Sequence, residues 1–366
     1  MIRVLQVVNN MHRAGLETVI MNYYREIDRT KIQFDFLTHR PGPSAYDAEI
    51  ERLGGHIYKM PRLYPNNYVS YFKKMSKFFS EHPEYKIVHS HIDSMSFLPL
   101  LAAKRAGIPI RIAHSHNTSM DIDFKMPLKQ LFKLGIPSVA NQYFACGKDA
   151  GHFLFGDREF FVMKNSIDVQ HFIFSEHKRI QVRKKMGITD NTLIIGNVGR
   201  LSYQKNQEFL LRAFNILVKK RKNVKLWLIG EGENEQRLLK MIKQLKIEKY
   251  VSMLGTRANV AELYQAMDLF VLPSRFEGIP MVGIEAQSAG LPCLFSDAVS
   301  DETIYSSLAS KLPLRLDMWV KKMDMSIIPS ANRKIRNFGG YDIHSSYKVL
   351  ENKYKYLNEI SGDAVQ

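Results

Sequence analysis

Leu272-Pro273-Ser274-Arg275-Phe276-Glu277-Gly278-Ile279-Pro280-Met281-Val282-Gly283-Ile284-Glu285-Ala286-Gln287-Ser288-Ala289-Gly290-Leu291-Pro292-Cys293 is the stretch on which the reading of this chain turns. The apolar run 269–272 reads as a buried strand closed by Pro273 and Ser274. A loop with Arg275, Glu277 and Gly278 follows. Pro280 suits the first turn of a helix, where its missing N–H has no partner to lose. Gly290 suits the residue just past the helix end, and Pro292 blocks continuation. Strand, loop and helix N-terminus in that order aim unpaired backbone amides at an anion beyond the strand's C-terminal end. From Gly278 to Leu294 the only charged residue is Glu285, set among small and apolar neighbours. Such a helix is expected to be largely buried, and a buried carboxylate needs hydrogen-bond donors. Hydroxyls of a ligand would serve; so would an Arg or Lys elsewhere in the core, or water if the residue faces out.

The same strand–helix alternation extends on both sides. In the second half, residues 193–198, 225–229, 251–254 and 292–295 read as strands, and 209–219, 235–245 and 260–266 as helices. In the first half the strands are 2–8, 34–38, 87–91, 110–116, 143–145 and 160–163, with helices at 17–27, 47–53, 68–81 and 97–106. At 366 residues the chain is too long for one ordinary core. The expectation is an α/β protein of two doubly wound, Rossmann-like parallel-sheet domains facing a central cleft. Residues 1–168 form the first domain and 169–340 the second, with 165–185 as a hinge. A C-terminal helix within 341–366 crosses back to the first.

Composition narrows the function classes. No run of about 18 apolar residues exists, so no membrane span is expected. The chain starts on a strand-like segment without the blocks of a signal peptide. Cys146 and Cys293 lie far apart beside small or apolar neighbours, which fits reduced core residues in a cytoplasmic protein. A net charge of +16 calls for an anionic partner: nucleic acid, a lipid surface or small substrates. The absence of zinc-finger spacing, a basic zipper or an aromatic RNA-binding signature argues against nucleic acid.

Several constellations carry chemistry. Arg200 and Lys205 sit on one strand-to-helix loop, Gly199-Arg200-Leu201-Ser202-Tyr203-Gln204-Lys205. A guanidinium fork plus a mobile ammonium suits a diphosphate, though a surface loop also carries such residues in water. Gly230 opens a Gly-Glu-Gly-Glu turn after another strand, fit for close approach to a nucleotide or for turning alone. Gly15, after the first strand, belongs to a phosphate-approaching type of loop that lacks the full Gly-x-Gly-x-x-Gly pattern. His89-Ser90-His91 and His114-Ser115-His116 end two strands, with i and i+2 on one side. That spacing makes a metal site conceivable, but no Cys or acidic ligand completes a recognised metal spacing, so no metal is expected, and His116 is the better placed to hydrogen-bond a sugar hydroxyl. Lys125, Lys129 and Lys133 recur every fourth residue beside Leu128, Leu131 and Phe132. That pattern suits an anionic membrane interface or an ordinary amphipathic helix. Lys73, Lys74 and Lys77 offer a second basic face.

Taken together, the residues resemble the retaining nucleotide-sugar glycosyltransferases of the GT-B fold, family 4, of the bacterial capsular and exopolysaccharide type. The carriers are Glu277-x7-Glu285 within Pro-Ser-x-x-Glu-Gly-x-Pro, then Glu-Ala-Gln-x-Ala-Gly-Leu-Pro. Gly199-Arg200-x5-Asn206 and Met267-Asp268 accompany them. The resemblance implies that Glu285 binds the donor ribose and Glu277 sits near the transferred sugar. Backbone amides of Gly278, Ile279, Pro280, Met281 and Val282, as far as each has one, line sugar and phosphate. Arg200 and Lys205 would neutralise the leaving diphosphate without metal or other cofactor. His116 would contact the donor sugar, giving His116, Glu277, Arg200 and Lys205 as the catalytic set. Gly15 matches the second glycine of the family's Gly-Gly loop, and Ala14 replaces the first. No glycosidase-like carboxylate pair is evident, which favours internal return with the phosphate as base.

The expected activity is hexosyl transfer from a nucleotide diphosphate sugar, UDP-linked by expectation, to a lipid-linked saccharide at the inner face of the cell membrane. An epimerase of the same fold is the nearer alternative. A non-catalytic nucleotide-sugar-binding subunit of a polysaccharide-assembly complex is the more distant one.

Overall fold

A computed structural model describes residues 1–119, 126–326, 333–335 and 337–363. The chain divides into two compact units, Met1–Ser166 with Ile343–Gln366, and Ile167–Asp342. The lines drawn from sequence at 168 and 341 fall two residues away. Ile167 N donates to Tyr341 O at 2.9 Å, and Ile167 bridges to Asp342, so both chain crossings are tied together inside the second unit.

The first unit holds a seven-stranded sheet: β1 (Ile2–Val8), β2 (Ile32–Thr38), β3 (Ile57–Lys59), β4 (Ile87–Ser90), β5 (Ile110–Ser115), β6 (Gln142–Ala145) and β7 (Phe161–Val162). Their order is β3-β2-β1-β4-β5-β6-β7, all pairs parallel. Every residue of β2 is buried, as strands covered by helices on both faces require. The helices are α1 (Gly15–Glu26), α2 (Asp47–Arg52), α3 (Tyr68–Glu81), α4 (Phe97–Arg105), α5 (Met126–Val139) and α6 (Lys148–Phe155).

The second unit repeats the plan with β8 (Leu193–Val198), β9 (Val224–Ile229), β10 (Val251–Gly255), β11 (Leu269–Leu272), β12 (Cys293–Ser296) and β13 (Ala309–Leu312), ordered β10-β9-β8-β11-β12-β13. Its helices are α7 (Glu176–Lys185), α8 (Gln207–Lys220), α9 (Glu235–Leu245), α10 (Val260–Ala266), α11 (Met281–Ser288) and α12 (Leu316–Met325). The expected hinge at 176–185 is in fact helix α7. Ser175 Oγ caps it by accepting from Lys178 N at 3.4 Å. Arg179 and Arg183 pin it to the Asp268 carboxylate and to carbonyls at the end of α10. Its charge, which read as a linker, is the means of attachment.

Helix α13 (Ile343–Asp363) packs on the first unit. His344 Nδ1 meets Glu26 Oε2 at 3.1 Å, Asp28 N donates to Glu351 Oε2 at 3.3 Å, and the Tyr354 ring sets its edge on Phe34. Strand order reverses between β1 and β4 in one sheet and between β8 and β11 in the other. Ligands of doubly wound sheets bind at such points, outside the strands' C-terminal ends.

Candidate active site

In the second unit the loops after β8 and β11 are locked together. Arg275 N donates to Gln204 O at 2.8 Å, Gln204 Nε2 to Phe276 O at 3.1 Å, and Asn206 Nδ2 to Pro273 O at 3.1 Å. Asn206 takes a left-handed φ of 56°, which its short amide side chain tolerates. This lock brings Lys205 Nζ to 2.5 Å from Glu277 Oε1, with the side chains only 15% and 9% exposed. Ser274 Oγ donates to the same oxygen at 3.0 Å. An ammonium has three protons, so one given to Glu277 leaves two for an anion. Arg200 is exposed on the same loop, and its guanidinium has no ion pair or hydrogen bond among the described residues. Arg275, the other cation of the opening stretch, stacks over the Tyr203 ring at 4.3 Å.

Gly230 converges on this loop for a packing reason. Its φ is 126°, and a Cβ there would lie 2.2 Å from Gly199 O. Leu201 N donates to Glu231 O, and Asn234 N to Leu201 O, each at 3.0 Å. The backbone contact alone demands glycine, whatever a nucleotide adds.

Pro280 is the N-cap of α11, one place earlier than the first turn expected, and Gly290 follows the helix at φ 65°. The loop from Gly278 runs into the first turn at Met281 and Val282, whose amides lack acceptors a turn earlier. The Ile279 and Met281 side chains are buried, so these residues have only their backbone to offer a ligand. Glu285 lies one turn further in. The partner found for it is the Tyr264 hydroxyl, which donates to Oε2 at 2.9 Å. No Arg or Lys pairs with it among the described residues. Burial pushes its carboxyl up to about 7, against the opposing pull of the Tyr264 hydrogen bond. The residue as a whole is only half-buried, at the edge of an otherwise largely buried helix. Sequence reasoning missed Tyr264, because nothing local links α10 to α11.

In the first unit the polar residues gather at the ends of β4 and β5. His89 Nε2 and His114 Nδ1 lie 3.0 Å apart, as do His91 Nδ1 and His116 Nε2. His89, His91 and His114 bring ring nitrogens within 4.8 Å of one another, a grouping able to hold a metal, as the i, i+2 spacing admits although no metal was expected. Those nitrogens are taken up by hydrogen bonds except His114 Nε2, which is buried without a partner. Burial lowers all four imidazoles, His116 to about 3. Asp93, also missed, fixes the His116 backbone. At φ 46° its carboxylate accepts from His116 N at 2.9 Å and Asn117 Nδ2 at 2.7 Å. Gly15 is the first residue of α1, and a Cβ there would meet nothing within 4 Å.

The basic stripe of α5 needs correction. Lys125 lies outside the described residues. Lys129 and Lys133 are half-buried, and Lys133 Nζ sits over the Phe153 ring at 4.2 Å. Phe132 and Ile136 go to the core, while Leu131 and Leu134 are 62% and 79% exposed. The helix therefore turns leucines outward where lysines were expected. On α3, Lys73, Lys74 and Lys77 are exposed as read.

Tandem Rossmann-like units of this order define the class, the GT-B fold. Over 100% of its length the chain is similar to the Anabaena HepE structure solved with UDP and glucose, covering 99% of it at a TM-score of 0.75 and 17% identity. Residues 13–143 match the model described as Glycosyltransferase Family 4, and 178–302 that of Glycosyl transferases group 1. The putative glycosyltransferase EpsF of Bacillus subtilis strain 168 is 35% identical across 98% of this chain and 97% of that protein. The chain belongs to the group 1, family 4 glycosyltransferases. It is also 26% identical, over 78% of its length and 76% of the other's, to UDP-Gal:alpha-D-GlcNAc-diphosphoundecaprenol alpha-1,3-galactosyltransferase of Escherichia coli.

Proposed function

We propose that the chain moves a hexosyl group from a UDP-linked sugar to a lipid-linked saccharide at the inner face of the membrane, with retention, in exopolysaccharide or capsule assembly. The observation that carries this is the Lys205–Glu277–Ser274 cluster at the strand-order reversal, beside exposed Arg200. Breaking a glycosyl–phosphate bond puts negative charge on the departing diphosphate. Fixed cations and helix-terminal amides stabilise that charge without reorganising. Glu277 holds Lys205 in place through one proton and keeps Oε2, which makes no hydrogen bond among the described residues, for a sugar hydroxyl. The phosphate oxygen of the leaving group takes the acceptor's proton, and no metal is required. The name of the E. coli relative, with its UDP donor and diphosphoundecaprenol acceptor, supports these substrate classes.

The test is reconstituted transfer. Purified protein is incubated with a panel of UDP-sugars and undecaprenyl-diphosphate saccharides in EDTA, and released UDP and product anomer are measured. Turnover giving the α-anomer from an α-linked donor is expected, with loss in Arg200→Ala at unchanged thermal midpoint. Full turnover in Arg200→Ala, or donor binding with no transfer to any acceptor, would remove the catalytic reading.

A further inference from the structure

Four imidazoles at two strand ends are more than one contact to a sugar requires. Two hydrogen-bonded chains run through them. In one, His91 Nε2 meets Gln6 Oε1 at 2.7 Å and His91 Nδ1 meets His116 Nε2 at 3.0 Å. In the other, the Tyr354 hydroxyl of α13 meets His89 Nδ1 at 2.6 Å, and His89 Nε2 meets His114 Nδ1 at 3.0 Å. They join where Gln6 Nε2 donates to the Tyr354 hydroxyl at 3.4 Å.

A neutral imidazole has one N–H and one bare nitrogen, so the proton position propagates along such a chain. Burial keeps these rings neutral. The Gln6 carbonyl oxygen only accepts, so His91 carries its proton on Nε2. His91 Nδ1 is then bare and only accepts, so His116 donates from Nε2. His116 Nδ1 is left as a lone pair, with no hydrogen bond among the described residues. The ring cannot readily turn over. It stacks on His114 at 3.9 Å and lies against His91 at 5.3 Å, while Asp93 fixes its backbone amide.

We infer that Gln6 and His91 are positioning residues that lock His116 as its Nε2–H tautomer, so that it meets substrate as a hydrogen-bond acceptor and selects a sugar hydroxyl able to donate. This rests on the reading of His116 as a substrate contact. A fluorine in place of that hydroxyl accepts but cannot donate, so a deoxyfluoro sugar should be rejected as firmly as the deoxy sugar.

The test uses the full chain labelled with 15N-histidine. Two-bond proton–nitrogen correlation separates protonated from bare ring nitrogens. Wild type should show a single His116 form with Nδ1 bare at pH 7. His91→Phe removes the fixed acceptor, mixes the two tautomers, and lowers kcat/KM for the natural sugar about tenfold. The deoxyfluoro analogues should keep their rate, so discrimination shrinks. Tyr354→Phe, on the other chain, should leave the His116 signal in place. Should His91→Phe not fold, Gln6→Leu removes the same constraint. A His116 protonated on Nδ1, or a signal indifferent to both substitutions, overturns the lock. A locked His116 with no discrimination against any fluorinated sugar overturns the premise that it touches substrate.

Discussion

The two sheets share a topology and a reversal point, yet hold their polar residues in opposite ways. At the ends of β4 and β5 polarity is kept neutral: burial drives the imidazoles below their ordinary value, and Gln6 and Tyr354 partner His91 and His89. At the ends of β8 and β11 it is kept charged, with Lys205 closed on Glu277 and Arg200 left open. A neutral wall fixes direction by where its protons sit. A charged loop fixes strength by where its ions sit. On the proposed reading of the site, one unit orients the substrate and the other stabilises charge, so substitutions in each should differ in kind.

The largest separation should come from Lys205→Ala against His116→Ala. Losing a fixed cation at the leaving group should lower kcat roughly 10²–10³-fold. It also leaves Glu277 with Ser274 alone, and stripping one partner from a mostly buried pair costs about 3 kcal/mol. His116→Ala removes a neutral hydrogen bond, for about a tenfold loss. Steady-state kinetics with a thermal midpoint for each variant would decide. A greater loss at His116 would break the comparison, because the catalytic weight would then lie on the neutral side.

Gly230→Ala comes next and acts on folding. The new Cβ meets the Gly199 carbonyl oxygen at 2.2 Å on a backbone of positive φ, which should cost roughly 2–3 kcal/mol. Trp227 and Trp319 are the only tryptophans and both lie in the second unit, so their fluorescence during urea unfolding reads that unit. An unchanged midpoint would show that the two loops do not depend on each other.

These particulars mark where the sequence was legible. The strand, loop and helix of 269–293 could be read because Pro280 and Gly290 punctuate it locally, and only the cap position was off by one. Edge strands β3 and β13 are only partly buried and each carries a lysine, so no apolar run marks them in the sequence. Residues 176–185 looked like a linker because Arg179 and Arg183 are charged, and nothing local shows that they bond Asp268 and buried carbonyls. In α5 the periodicity gave a helix with lysines on one side. Which side met the core depended on Phe132, Ile136 and the distant Phe153. The paired histidines were visible singly, but their meeting required the register of β4 against β5. Partners close in space and distant in sequence leave no local trace, and Tyr264 beside Glu285 is the plainest case.

The pH dependence of the two units should have opposite signs. For Glu285 the folded value, about 7, lies above the ordinary 4.5, so the folded state binds more protons between these values. Its contribution is most favourable below pH 4.5 and is lost as pH rises through 7, by up to about 3 kcal/mol. His116 and His39, a buried histidine just after β2 whose Nδ1 meets Val8 O at 2.8 Å, are lowered by burial to about 3 and about 4 and do the reverse. Below the unfolded value near 6.5 the unfolded chain takes up protons that the fold refuses, so the first unit weakens as pH falls. Glu285→Gln should flatten the tryptophan-reported stability between pH 5 and 8 relative to wild type. Parallel curves for the two proteins would show that the Glu285 carboxyl titrates normally.

The smallest effect tests whether the first unit carries a membrane face of its own. Exposed Leu131 and Leu134 could each bury side-chain area in the headgroup boundary, worth about 1 kcal/mol apiece once partial burial is allowed for. Lys73, Lys74 and Lys77 add attraction to anionic lipid that weakens with salt. Flotation with anionic and neutral vesicles should show preference for the anionic ones. A several-fold loss is expected in Leu131→Ser with Leu134→Ser, and a smaller, salt-dependent loss on neutralising the three α3 lysines. Lys133→Gln should change binding little, because its ammonium is committed to Phe153, and should instead cost about 0.5–1 kcal/mol of stability. If Lys133→Gln abolished flotation while the leucine pair left it intact, the outward face of α5 would have to be assigned the other way round.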